Sequence, residues 1–535
     1  MHRKIVCYMK NFSNVILFAC LSLMGALCSC TSDEGKIIKY EYVTYKVSEG
    51  KAYAIGPEQR WANSSLIIKS VIPGYQVEGV ADSAFFKEGN LQKVIIEEGI
   101  KYIGKYAFAE CSHLEEVTLP TSVKEIEDGV FKCCRFLSKV NFTDSLVSIG
   151  DSAFYDIDFP ELVFPPHLRK IGASAFEDIS LYKSSTLCFP NDLVYIGDRA
   201  FRNSYFSSLL LPQNLEFIGE EAFANGGDLK SLYIPEKVSF IGAGAFANIC
   251  IDKIDISPNN EKYIICGGCL LSGDRKVLRA TSKEALKNDV LVIPEGVESL
   301  EKSGVYLSNY YRAKRISLPN SLKRISKGAI RIHGYVQFAS IYIPKNVELI
   351  EAAAFDGCKS VVAYEVDPAN KYFSSQEGVL FDKSKTRLLK YPSGNTRKKY
   401  ILPSSVQSVD SVAFSNCEYL YSLNTANLKT LRVEMCYYCK KLEEVICPNV
   451  DSIMRWAVFW CGDVIVCHVG DNVKYIDAHG FDHLRTLYCQ AENPPYINGE
   501  TLSTEKHSWI YVPAQSVYAY QRDEKWGKLN IVPIQ

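Results

Sequence analysis

One six-residue pattern, Ile-Gly-x-x-Ala-Phe, limits what this chain can fold into. It occurs intact from Ile103 to Phe108, Ile149 to Phe154, Ile171 to Phe176, Ile196 to Phe201, Ile218 to Phe223 and Ile241 to Phe246, with softer copies running on to Ile476 through Phe481. With its last position as a marker, the series reads Phe85, Phe108, Phe131, Phe154, Phe176, Phe201, Phe223, Phe246, Val305, Ile330, Phe355, Phe414, Cys436, Val458 and Phe481, fifteen turns in all. A motif returning at a fixed period of 20–50 residues is the mark of stacked repeats. Such a chain grows in one dimension, so its 535 residues need not divide into several globules.

Each period has two halves. Leu114-Glu115-Glu116-Val117-Thr118-Leu119-Pro120 alternates apolar and polar residues and ends in Pro, as a short strand does. The motif then turns the chain back. Its Gly is expected to supply a backbone conformation closed to bulkier residues. Its Ala is expected to let coils approach, and its Phe to fill the interior. Cys111, Cys134, Cys358, Cys417, Cys439 and Cys461 all fall three residues after the marker. Recurrence in one slot predicts stacked, free core thiols rather than disulfides, although the chain carries 19 Cys.

The markers skip 59 residues twice, one turn of 23 plus 36 more each time. The two inserts, near residues 257–292 and 367–402, resemble each other. Pro258, Asn260, Gly268, Leu270, Leu278 and Pro294 pair with Pro368, Asn370, Gly378, Leu380, Leu388 and Pro403. Val379 to Phe381 and Leu388-Leu389 flank a polar turn, which predicts a hairpin. An element used twice reads as scaffold.

The ends differ. Residues 1–29 read as a lipoprotein signal peptide: His2, Arg3, Lys4 and Lys10 precede an apolar run from Val15 to Leu27 that is too short and early for a spanning helix. Leu27-Cys28-Ser29-Cys30 resembles a bacterial lipobox, which makes Cys30 the expected lipidated residue. Residues 30–39 form a tether. Residues 40–65 are expected to make an N-terminal β-hairpin cap, from Tyr42–Val47 and Ala52–Ile55 around Ser48-Glu49-Gly50-Lys51. The repeats occupy 66–490. A C-terminal cap follows over 491–535, with a helix over Ser516–Trp526 and a last strand over Leu529–Pro533.

With Leu-x-x-Val-x-Leu-Pro…Val-x-x-Ile-Gly-x-x-Ala-Phe-x-x-Cys on the page, nearly whole at 114–134, the chain resembles the BspA-type leucine-rich repeat surface lipoproteins. Tyr511 to Tyr520 resembles the closing segment of that family. The resemblance covers roughly residues 65 to 535. It implies a β-rich, right-handed leucine-rich repeat solenoid with a parallel strand ladder. It also implies an exposed location and, in some members, adhesion to matrix proteins or other cells.

No catalytic constellation stands out, and the expectation is no enzyme, cofactor or metal. His479 and His483 lie four apart near Asp477 and Asp482, but they straddle an ordinary motif slot. Cys266-x-x-Cys269 and Cys436-x-x-Cys439 fall in core slots, and Gly242-x-Gly244 lacks the third Gly of a phosphate loop. Net charge is −1, against the basic excess of a nucleic-acid binder.

The stronger signal is the row of strand residues between core positions: Ile95, Thr118, Asn141, Val163, Cys188, Leu210, Tyr233, Asp255, Val292, Ser317, Tyr342, Ile401, Ile446, Val466 and Tyr488. Period two sends them outward. At about 4.8 Å per rung the fifteen turns give a ladder of roughly 70 Å, suited to a macromolecular partner. The expectation is a monomeric, lipid-anchored outer-membrane protein on the cell surface. It touches the membrane through its anchor only and binds an extracellular protein or polysaccharide through the repeat face, with Tyr233, Tyr342 and Tyr488 as candidate contacts. The alternative is a structural spacer without its own ligand.

Overall fold

The structure is a computed structural model that describes residues 35–58, 64–181, 186–307, 313–332, 338–461, 465–477, 479–481, 484–499 and 508–535. The signal peptide, the lipobox with Cys30, and His483 and Asp482 lie outside the described residues.

The chain winds as a solenoid with three sides. On the first, Ser65–Ile68, Lys93–Ile96, Glu116–Thr118 and Lys139–Asn141 pair in parallel, rung by rung. On the second, two-residue strands ending in the motif Ile pair from Glu125–Ile126 to Phe240–Ile241. The third side carries the Ala-Phe turn. Its backbone also forms a ladder: Tyr106, Phe108 and Glu110 donate N–H to the carbonyls of Asp128, Val130 and Lys132 at 2.7–3.0 Å.

That third ladder has an unusual backbone. Residues two before and two after the marker have positive φ, as at Tyr106 (57°) and Glu110 (60°), Ser152 (55°) and Asp156 (60°), and Arg199 (56°) and Asn203 (59°). For a non-Gly residue this conformation costs on the order of 1–3 kcal/mol. Here it turns alternate N–H groups along the solenoid axis, where each meets a carbonyl of the next coil.

The motif glycines do something else. Gly104, Gly150, Gly172, Gly197, Gly219 and Gly242 do not have positive φ. A Cβ on Gly219 or Gly242 would sit 2.4 Å from backbone atoms of the preceding coil. The requirement is therefore close approach rather than a special conformation, which corrects the sequence expectation.

The markers form the core. Phe85, Phe108, Phe131, Phe154, Phe176, Phe201, Phe223 and Phe246 stack in one column, neighbouring centroids 5.2–5.8 Å apart. Burial of each ring contributes about 1.5–3 kcal/mol, and the stacked geometry about 0.5–1.5 more. No coil holds its ring alone; each needs the coils on both sides.

The slot after the marker is more than a small buried space. Cys111 Sγ donates to Phe85 O (3.1 Å), Cys134 to Phe108 O (3.1 Å) and Cys358 to Ile330 O (3.2 Å), while Ser204 Oγ donates to Phe176 O (2.9 Å). A short donor there satisfies the marker carbonyl of the previous coil. All fifteen cysteines beyond Cys30 are free, and of these only Cys188 is exposed. Alkylation of the native protein followed by mass spectrometry should modify Cys188 first, Cys133 and Cys266 more slowly, and the others only on unfolding. Fast modification of Cys358, whose thiol burial pushes up to about 12, would contradict this packing.

Each insert is a three-stranded meander rather than a simple hairpin. Tyr263–Cys266, Cys269–Ser272 and Val277–Thr281 pair antiparallel, and so do Phe373–Gln376, Val379–Asp382 and Arg387–Lys390. The third strand joins the second-side ladder, Leu278 beside Leu300 and Leu388 beside Val409. Each insert therefore completes one coil that lacks the motif, and two further coils beyond the last marker, with strands Leu484–Cys489 and Trp509–Val512, bring the fifteen marked coils to about nineteen. Buried Asn260 fixes the first insert. Its Nδ2 donates to Pro235 O and Val238 O at 2.8 and 3.0 Å, and its Oδ1 accepts from the N–H groups of Lys262 and Tyr263 at 2.9 Å. Asn370 repeats all four bonds with Pro344, Val347, Tyr372 and Phe373. The inserts divide the interior into three hydrophobic clusters.

The two ends are covered. At the N-terminus Val43–Ser48 and Lys51–Pro57 form the expected hairpin, with Ile37–Tyr40 on one flank and Tyr75–Val80 on the other. The last of these continues into the second side at Tyr102–Ile103. At the C-terminus the helix is shorter than expected, Val517–Arg522, because Asp523 turns extended (ψ 138°). Trp526 is buried and donates Nε1–H to Pro495 O at 2.7 Å, and Asn530–Pro533 adds the last strand.

Candidate interaction face

On the first side, apolar residues alternate inward with a row that faces out, because successive strand residues point to opposite faces. Every residue of the predicted row is exposed or half-buried: Val163 is 68% exposed, Leu210 54% and Ile401 67%. One position is out of register. Ile446 pairs with His468, and Val466 pairs with Glu444, so the row passes through His468. The error of two residues leaves Val466 on the same face. It arises because the coil from Val458 to Phe481 has no Leu-x-x-Val start to align.

Tyr233 and Tyr342 stand out from this face, 42% and 43% exposed. The Tyr342 hydroxyl donates to Asp367 Oδ2 at 2.8 Å, which fixes its ring upright; this bond, with some burial, raises the phenol pKa. Tyr488 is half-buried in a ring stack, with His468 and Tyr511 each 4.7 Å from its centroid. The three tyrosines share a face but not a locus. One falls in each of the three solenoid stretches that the inserts delimit, so no small molecule touches all of them.

A second aromatic surface was invisible to the motif reading. Tyr437, Tyr438, Trp456, Phe459 and Trp460 cluster on the third side, with Phe459 5.6 Å from Trp456 and 5.7 Å from Trp460. Trp460 is 52% exposed. Cations ride on the cluster: Arg455 lies 4.2 Å from the Trp456 ring and Lys440 4.8 Å from Tyr438. The signal was present as aromatic residues two before or one and two after the markers Cys436 and Val458.

Cys266 and Cys269 face each other across a hairpin. Cys436 and Cys439 are buried. Asp477 accepts from the His479 N–H at 3.2 Å and from Asn498 at 3.1 Å. Among the described residues no three His, Cys, Asp or Glu side chains converge on a point, and no helix is long and apolar enough to cross a membrane.

A family model for the BspA type leucine rich repeat region matches residues 78–185, 147–264, 284–362 and 393–488, in six copies. Among solved structures, the chain is similar to a leucine rich cell surface protein from Faecalibacterium prausnitzii, 20% identical over 79% of this chain and 91% of that one, with a TM-score of 0.41. It is also similar to a leucine-rich repeat protein from Bacteroides ovatus, 17% identical over 93% and 100% of the two chains, TM-score 0.32. A third, from Eubacterium ventriosum, is 16% identical over 83% and 88%, TM-score 0.28. No curated protein matches the sequence.

Proposed function

This chain belongs to the BspA type leucine rich repeat family, and from that premise we propose that it is a non-enzymatic recognition protein of the cell surface. It binds an extracellular protein or polysaccharide through the solenoid exterior and is held to the outer membrane by lipid on Cys30. The observation that carries the reading is aromatic surface outside the core: the His468–Tyr488–Tyr511 stack, exposed Tyr233 and Tyr342, and the cluster around Trp460. Aromatic rings held rigid at a surface supply contact area at low entropic cost, and exposed apolar patches on soluble chains mark sites of contact. The spread of these rings along the rod fits an extended partner. A spacer needs none of them.

The test uses residues 31–535 against immobilised matrix proteins and a glycan array. Replacement of Tyr233, Tyr342 and Tyr488 together by Ser is expected to weaken the captured partner at least about tenfold, as loss of aromatic hot spots does. Unchanged binding would remove the first side as the contact face. Failure to bind any partner, with tolerance of a whole deleted coil, would favour the spacer.

A further inference from the structure

The third-side ladder is regular as far as Asn225, whose N–H donates to Ala247 O at 2.8 Å. The next coil, which contains Ile251–Ile256, spends its return path on the first insert and has no Ala-Phe turn. The third side resumes only at Ser303 and Val305, which donate to Gly328 O and Ala329 O. The skipped rung opens into a cavity of about 260 Å³.

The second insert produces the same seam, but there the cavity is about 10 Å³. Buried Lys390 closes it, donating from Nζ to Val412 O at 2.8 Å and Ser415 Oγ at 2.7 Å. In the first insert the equivalent residue is Ala280, opposite Leu270 as Lys390 is opposite Leu380. One seam is satisfied from within by the chain's own cation. The other is open.

What lines the open seam is chemically one-sided. Arg202, Lys302, Lys327 and Arg331 face two carboxylates, Glu221 and Asp356. Glu221 is already engaged: its carboxylate lies 2.6 Å from Lys302 Nζ, 3.2 Å from Arg199 Nε and 3.5 Å from Arg202 Nη1. Three buried donors have no acceptor, namely Ser303 Oγ, Arg202 Nε and Arg331 Nε, and Ser303 is only 5% exposed. Leaving such a donor unmet costs about 1–3 kcal/mol.

Arg331 is also held in place. Asn203 donates to Asp178, Asn225 to Asn203 and Asn248 to Asn225, each at 2.6 Å, and Arg331 Nη1 completes the file on Asn248 Oδ1 at 3.3 Å. A guanidinium tethered at one nitrogen with Nε free presents a fixed donor to an acceptor-only group.

We infer that this seam is a binding site for a single oxyanion, a carboxylate or sulfate ester at the end of a larger ligand. The cavity is smaller than the roughly 300–1,000 Å³ that holds a drug-sized ligand, so it takes the charged end and not the whole molecule. It lies on the third side and does not depend on the first-side reading.

Glucuronate, glucose 6-sulfate and glucose would be titrated into the protein by calorimetry, with thermal unfolding alongside. Either or both acidic sugars should bind saturably and raise the Tm, and glucose should do neither; which acid binds identifies the group. Arg331→Gln should weaken binding about tenfold, the scale of one charge-assisted bond, and Ser303→Ala severalfold without disturbing the fold. Binding of glucose equal to that of the acids, unchanged affinity in Ser303→Ala and Arg331→Gln, or no binding of either acid by the unaltered protein would each overturn the site.

Discussion

Phe176→Ala is expected to destabilise the middle of the solenoid by about 3–5 kcal/mol, the range for a fully buried ring cut to a methyl. Phe176 has no exposed surface and lies between two other rings, 5.2 Å from Phe154 and 5.3 Å from Phe201, while Phe164 meets its edge at 5.5 Å. Removing it takes a ring contact from these three and from Phe159, whose centroid is 6.4 Å away. In a solenoid the loss stays near the site, because each coil couples only to its neighbours. Hydrogen exchange should therefore speed up at the third-side amides of Phe154 and Phe176, which bond Ala175 O and Ala200 O at 2.8 Å, and leave Trp526 and the C-terminal cap unchanged. Urea unfolding should show a lowered first transition. As a control, Tyr205→Ala, at a side chain 70% exposed, should change stability by no more than about 0.5 kcal/mol. A loss under about 1 kcal/mol at Phe176 would mean that the ring column is not what binds the coils.

Much of this architecture was legible because every coil solves the same packing problem with the same side chain. Phe at the marker, Cys or Ser after it, and Pro at the strand end recur because the geometry recurs. The parts that escaped are those where geometry changes while sequence does not announce it. Leu278 and Leu388 take the second-side place of a motif Ile with no Gly after them, so two coils went uncounted. The open seam is a property of a missing rung, and no residue encodes an absence. Trp456 and Trp460 lie at positions where other coils hold Ser, Asp or Asn but also Tyr106, Glu110, Arg199 and Val412, all with positive φ. Both tryptophans have positive φ, 57° and 50°. The slot takes side chains of any size, so no repeat rule marks these two tryptophans as a surface.

The second large effect concerns the smallest residue of the motif. Gly219→Ala adds one methyl group, and helix or strand propensity alone would make it neutral or mildly favourable. The solenoid predicts the opposite. The new Cβ would lie 2.4 Å from Asp198 N and Gly197 C and 2.6 Å from Asp198 Oδ1, all parts of the preceding coil and two of them backbone. No rotamer relieves contacts with backbone, so the coils must separate. Separation stretches the bond from Gly219 N–H to Ile196 O (2.9 Å) and the one that Asp198 Oδ1 accepts from Glu220 N–H (2.8 Å). Overpacking costs about 1–3 kcal/mol and each weakened bond about 0.5–1.5, so a loss of about 3 kcal/mol is expected. Gly89 separates this effect from a general intolerance of added bulk: a Cβ there meets only Ser112 Oγ, at 4.0 Å, and Gly89→Ala should cost less. Chemical denaturation of the two variants decides the matter. If Gly219→Ala is as stable as the parent, coil spacing is not set at the motif Gly, and the repeat must hold that residue for another reason.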